Sequence, residues 1–331
     1  MQYVNDNETP ERQLTPEEYL GERKNAIRKR AFWAVGIGAL VVGAHLGWLV
    51  LFSLAGWHPD FSILFRSVAF ILGLFVFAGG VWGIYHARSL KIEDLIASPE
   101  AIEFARQTEA APPYFTYLLV GLIVAVMLCQ LSVGLDESRE IAGLQKSDFW
   151  VRGEYWRILT GAALHGSILH IFFNGQALLG LGGLIEHLSN RAHLLIVFVL
   201  AIVGGSLCSL YFLPEGNSVG ASGGVMGLFG YLAVYAFRRK RQLPPDFLKS
   251  LLINIGFIAA FGLIAYQIID NFAHLGGFAA GAIYGLIQIP RDLQKNPRTV
   301  GAVTELFSYA ALLIFVFTCI FSILLLLKVV Q

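Results

Sequence analysis

Charge is scarce in this chain. Asp, Glu, Lys and Arg supply 14% of its 331 residues, while 56% are hydrophobic and the mean hydropathy is positive. That shortage excludes a water-facing surface over most of the molecule. The formal net charge is only +1, which leaves out the basic soluble face that nucleic-acid binding needs. Cysteine is also rare: Cys129, Cys208 and Cys319 all lie inside apolar runs, so no disulfide framework is expected, only buried and inert thiols. No His-Glu-x-x-His segment occurs, and His45, His58, His86, His187 and His193 have no metal-ligand spacing. Neither a metal nor a cofactor is expected. Some thirty polar residues precede the first apolar run, so no cleavable signal peptide is expected.

What is present in quantity is long apolar sequence. Crossing ~30 Å of hydrocarbon takes about 20 residues of helix at 1.5 Å each. Nine runs qualify: 31–53, 62–86, 114–135, 161–186, 192–212, 221–237, 250–267, 270–289 and 306–327. The fold class is therefore all-α and polytopic. Runs 161–186 and 270–289 contain histidine and amide side chains, which should face the bundle interior.

Lys and Arg fall between the runs unevenly. Arg23, Lys24, Arg28, Lys29 and Arg30 precede the first, Arg88 and Lys91 follow the second, and Arg191 follows the fourth. Arg238, Arg239, Lys240 and Arg241 follow the sixth, and Arg291, Lys295 and Arg298 the eighth. With nine crossings all of these lie on one side, which the positive-inside rule makes cytoplasmic together with the N-terminal segment. Four blocks follow: a polar cytoplasmic tail, 1–30; two spans and a cytoplasmic linker, 31–113; a six-span unit, 114–290; and a cytoplasmic loop with one further span, 291–331. Within the linker, Ile92, Leu95, Ile96, Ile102 and Phe104 could line one face of a surface helix before Pro112-Pro113 ends it.

The unusual polar residues are concentrated in 114–290. His170 and Asn174 are four apart and share a helix face. Ser222 opens the sixth run after Gly220-Ala221, and His274 lies near the start of the eighth. Sixteen residues separate Ser222 from Arg238, and seventeen separate both His274 from Arg291 and Asn174 from Arg191. At 1.5 Å per residue these three side chains lie ~24–25 Å from the cytoplasmic boundary, on one level below the outer surface. Gly223, Gly227 and Gly230 follow the serine, and Gly277, Gly281 and Gly285 follow the histidine. Small residues at this spacing let membrane helices approach closely, as a serine-to-histidine hydrogen bond of ~2.6–3.2 Å requires. A serine at a helix N-terminus also meets free N–H groups suited to an oxyanion.

Gly220-Ala221-Ser222-Gly223, His274 followed by Gly277 and Gly281, the His165, His170 and Asn174 set, and Trp156-Arg157 together resemble the rhomboid intramembrane serine proteases across about 114–290. The resemblance implies a rhomboid-like six-helix core with two additional spans before it and one after. It implies Ser222 as nucleophile and His274 as general base, a dyad with no acidic third member. His170, Asn174 and the Ser222 backbone N–H would form the oxyanion hole. His165, Trp156, Arg157, Gly220, Gly223, Gly277 and Gly281 would be structural supports. The implied activity is endopeptidase cleavage of transmembrane protein substrates near the outer face of the bilayer, in the plasma (inner) membrane. Where the family carries an aromatic residue four positions after the serine, this chain has Met226, whose thioether can make a similar ring contact. The alternative is a catalytically silent relative that binds transmembrane helices, which typically lacks the serine or the histidine. A transporter would show broken helices repeated in two halves, and no such repeat occurs.

Overall fold

The apolar runs fold as helices, and glycines set where those helices touch. The computed structural model describes residues 15–57, 60–95, 104 and 111–330. The chain divides into two units, Met1–Ser98 and Pro99–Gln331.

In the first unit, helix α1 (Pro16–Leu54) opens with a capping box. The Thr15 hydroxyl accepts from the Glu18 N–H at 3.2 Å, and the Glu18 carboxylate accepts from the Thr15 N–H at 2.9 Å. Residues 16–30 of the expected polar tail are therefore helical and continuous with the first apolar run, because a start signal and strong helix formers such as Glu, Arg and Lys precede that run. The expected span 62–86 is broken into α2 (Ser62–Arg66) and α3 (Val68–Ser89). Ser67 makes the break with an extended backbone, and its hydroxyl caps α3 by accepting from the Phe70 N–H at 3.3 Å. Helices α1 and α3 run antiparallel in backbone contact. A Cβ on Gly38 would lie 2.5 Å from the Phe77 nitrogen, and one on Gly80 would lie 2.7 Å from the Val35 nitrogen. Most of the expected surface helix within 89–113 lies outside the described residues; Glu93–Leu95 forms one 3-10 turn.

The second unit contains α4 (Tyr114–Val133), α5 (Leu135–Ala142), α6 (Lys146–Val151), α7 (Arg157–Ala163), α8 (Ile168–Leu188) and α9 (Arg191–Phe212). These are followed by α10 (Ser222–Arg238), α11 (Phe247–Ile264), α12 (Asn271–Gln288) and α13 (Ala302–Leu326). Two short antiparallel strands, β1 (Leu144–Gln145) and β2 (Asn217–Ser218), pair Leu144 with Ser218 and Gln145 with Asn217. Helix α10 is the core of this unit, buried at every residue from Gly223 to Leu232. Helix α13 packs into the same core rather than standing apart: Phe315 meets Phe198 edge-on at 5.1 Å, and Phe321 meets Trp156 at 5.4 Å.

Among the described residues, seven helices are long and apolar enough to cross a membrane: α1, α3, α4, α8, α9, α11 and α13. The molecule is a multi-pass helical membrane protein. The other two expected spans are also helices but fall short of that standard. Helix α10 has 17 residues, and the 18 residues of α12 include Asn271, His274 and four glycines. The two helices that carry the candidate chemistry are thus the least lipid-like.

Candidate active site

Helices α10 and α12 run parallel and touch through backbone. A Cβ on Gly277 would collide with the carbonyl oxygen of Gly223, and one on Gly281 would collide with that of Gly227. Both pairs are 54 residues apart in sequence, so the register is constant along the contact. Helix α9 joins them at the top, where a Cβ on Gly205 would lie 2.6 Å from the Ala273 oxygen and 3.5 Å from the Gly223 Cα. This three-helix contact is one residue from Ser222 and one residue from His274. Both side chains are half-buried. No hydrogen bond joins the Ser222 hydroxyl to the His274 ring among the described residues. Candidate nucleophile and base pairs are often looser without substrate than with it.

His170 and Asn174, from the first turns of α8, reach the same place. A Cβ on Gly220 would lie 2.5 Å from His170 Cε1, 2.7 Å from its Nε2 and 3.6 Å from Asn174 Nδ2. Gly220 also has φ +124°, so both space and backbone require glycine there. Its N–H donates to the Gly161 oxygen at 2.9 Å, which fixes the turn before Ser222. Asn174 Nδ2 is buried and has no hydrogen-bond partner among the described residues, an unused donor beside the serine loop. His165 is fully buried, and its ring meets His170 edge-on at 5.2 Å. The Gln130 side chain brackets the His165 backbone, accepting from its N–H at 2.9 Å and donating to its carbonyl at 3.2 Å. Met226 is buried in the core one turn below Ser222.

Arg157 holds the long loop ahead of α8. Its buried guanidinium donates to Glu154, to the Gly143 carbonyl at 2.8 Å and to the Glu140 carbonyl at 3.3 Å, and it lies 4.6 Å from the Trp156 ring. A second clamp escaped the sequence reading. The Asp270 carboxylate accepts from the Ser209 and Ser218 hydroxyls, caps α12 through the Ala273 N–H at 2.9 Å, and faces Lys146 Nζ at 3.8 Å. Lys146 is buried and also donates to the Leu213 carbonyl at 2.5 Å. Burial pushes its ammonium below the usual lysine value, with Asp270 opposing the shift. Asp270 therefore ties the α6 segment and the serine loop to the head of α12. Nothing in Leu144-Gln145-Lys146-Ser147 distinguishes that lysine from a solvated one.

No group of three or more His, Cys, Asp or Glu with metal-holding geometry occurs among the described residues. The model of the Rhomboid domain family matches residues 152–291. Those residues form a rhomboid domain. That match covers Trp156, Arg157, His165, His170, Asn174, Ser222 and His274, and it leaves out Lys146, α13 and the first unit. Rhomboid protease GluP of Bacillus subtilis (strain 168) is 32% identical over 191 residues, 54% of this chain and 36% of its own length. RHOMBOID-like protein 1 of Arabidopsis thaliana is 31% identical over 157 residues, 45% of this chain and 40% of its own length. Inactive rhomboid protein 1 of Rattus norvegicus is 31% identical over 142 residues, 42% of this chain and 16% of its own length. The chain spans less than half the length of these rhomboid relatives, of which one is named a protease and one inactive.

Proposed function

We propose that the chain is an intramembrane serine endopeptidase that cuts transmembrane protein substrates near the outer membrane face. The observation that carries this reading is the backbone-level contact of α10 with α12, which holds Ser222 and His274 beside one three-helix junction. In the proposed reaction the His274 ring takes the Ser222 hydroxyl proton as Oγ attacks the scissile carbonyl carbon. The resulting oxyanion is met by the Ser222 N–H at the head of α10, by Asn174 Nδ2 and by His170. Protonated His274 then gives its proton to the departing amine as the C–N bond breaks. Water, deprotonated by His274, hydrolyses the acyl ester and restores the serine. Asp270 takes no part, because its carboxylate is occupied by two serines, a backbone N–H and Lys146. A substrate helix must unwind to expose its scissile carbonyl, so helix-breaking residues should favour cleavage. The outer-face assignment rests on the one-sided Lys and Arg clusters.

A second reading is a silent relative that binds transmembrane helices, favoured by the absence of a Ser222–His274 hydrogen bond and by the relative named inactive. The discriminating experiment is cleavage of a single-span substrate by protein reconstituted in vesicles. Wild type is expected to cut, and Ser222→Ala and His274→Ala are expected to lose cleavage by several orders of magnitude. A fluorophosphonate should label wild type at Ser222. Absence of both cleavage and label in all three proteins would support the silent reading, and equal cleavage by all three would overturn the Ser222–His274 assignment.

A further inference from the structure

We infer that the cleft between α1 and α3 binds the phosphate headgroup of an anionic phospholipid. Lys24, Arg28 and Phe32 stand at successive four-residue steps on α1 and face Ile84, Ala87 and Arg88 of α3 across a cavity of about 280 Å³. That volume is near the lower limit of small-ligand sites, roughly 300 Å³, which suits a headgroup better than a whole lipid. Arg23, Lys29, Arg30 and Lys91 are close to its lining in sequence, and neither 23–33 nor 80–91 contains an acidic residue, the nearest being Glu22, Glu93 and Asp94. Among the described residues, Lys24, Arg28, Lys29 and Arg88 form no ion pair. Arg28 spends one donor on Asn25 Oδ1 at 3.0 Å, which leaves the rest of its guanidinium for a ligand.

The position of the cleft selects the ligand. Phe32, Trp33, Trp82 and Tyr85 are all exposed large aromatics at this end of the helix pair, the belt that marks a membrane–water interface. The cations stand on its polar side and the apolar lengths of α1 and α3 on the other, so the cleft opens where lipid phosphates lie. Basic pockets between membrane helices at that level take anionic headgroups. The inference concerns the first unit alone and is independent of the protease reading.

Native mass spectrometry of the full chain tests it, with phosphatidylglycerol and phosphatidylcholine titrated into the detergent-solubilised protein. Wild type should hold phosphatidylglycerol in preference to phosphatidylcholine. At about 1 kcal/mol per cation near the membrane surface, Arg28→Gln/Arg88→Gln should weaken phosphatidylglycerol binding ~30-fold and Lys24→Gln alone ~5-fold. Arg28→Lys/Arg88→Lys, which keeps the charge, should retain most of it. Inorganic phosphate should displace none of the bound lipid. The backbone contacts at Gly38 and Gly80 hold the helix pair without these side chains, and circular dichroism checks that the variants keep their helices. Undiminished phosphatidylglycerol binding by the glutamine variant, equal affinity of wild type for phosphatidylcholine, or displacement by inorganic phosphate would each overturn the assignment.

Discussion

Gly277 rests against the carbonyl oxygen of Gly223, backbone on backbone, with no room for a β-carbon between them. Gly277→Ala must push α12 away from α10. Overpacking of this kind costs about 1–3 kcal/mol, and the displacement also separates Ser222 from His274. The expected result is a lower unfolding temperature together with cleavage lost beyond what the unfolded fraction explains. Gly256→Ala on α11 is the control, because a Cβ there meets nothing within 4 Å. Normal cleavage by Gly277→Ala would show that the close approach is not needed for the chemistry.

Asn174→Ala separates catalysis from folding. Its Nδ2 makes no hydrogen bond among the described residues, so its loss deprives the fold of little. Removing one oxyanion donor lowers kcat by about 10²–10³. A kcat reduced by that factor with a nearly unchanged unfolding temperature is expected; a large fall in stability with kcat intact would make Asn174 a packing residue.

Lys146→Met should destabilise by about 3 kcal/mol, the low end of the range for breaking a buried ion pair, because Asp270 keeps its serine partners. The pH dependence has a fixed sign. Burial lowers the Lys146 pKa below 10.5, so in an alkaline window beneath that value the unfolded chain holds more protons than the folded one, and stability rises with pH. The difference in unfolding temperature between wild type and Lys146→Met should therefore widen with pH across that window. A difference that narrows would contradict the burial of the ammonium.

Arg239 is wholly buried and donates to the carbonyls of Asp292, Leu293 and Lys295 at 3.0, 3.3 and 2.8 Å. Arg239→Ala should raise hydrogen exchange across 290–298 and cost about 3 kcal/mol, given ~1.5–3 kcal/mol per hydrogen bond to a charged group. Arg239→Lys should not rescue it, since a single ammonium cannot reproduce the planar fork. Unchanged exchange in that loop would refute the clamp.

Length and apolarity made most of the helices legible in the sequence, and glycine spacing made the α10–α12 contact legible. Breaks inside apolar runs were not. Ser67 and the stretch Leu164–Ser167 divide runs expected as single spans, because a break depends on local backbone and capping. The start of α1 was written in Thr15 and Glu18, a capping signal masked by the polar residues around it. The buried cations were the least legible. Arg239 lies within a basic cluster, and only tertiary structure distinguishes it from Arg241; Lys146 acquires its meaning from Asp270, 124 positions later.

Helices α10 and α12, which hold Ser222 and His274, are absent from the seven that could cross a bilayer on length and apolarity. Each is a poor solitary passenger through the insertion machinery, since polar groups in hydrocarbon need protein or water around them. Their more apolar neighbours must already be lodged in the bilayer to receive them. The candidate catalytic centre would thus be completed late in biogenesis, and a chain stalled before that point would carry its serine and histidine without bringing them together.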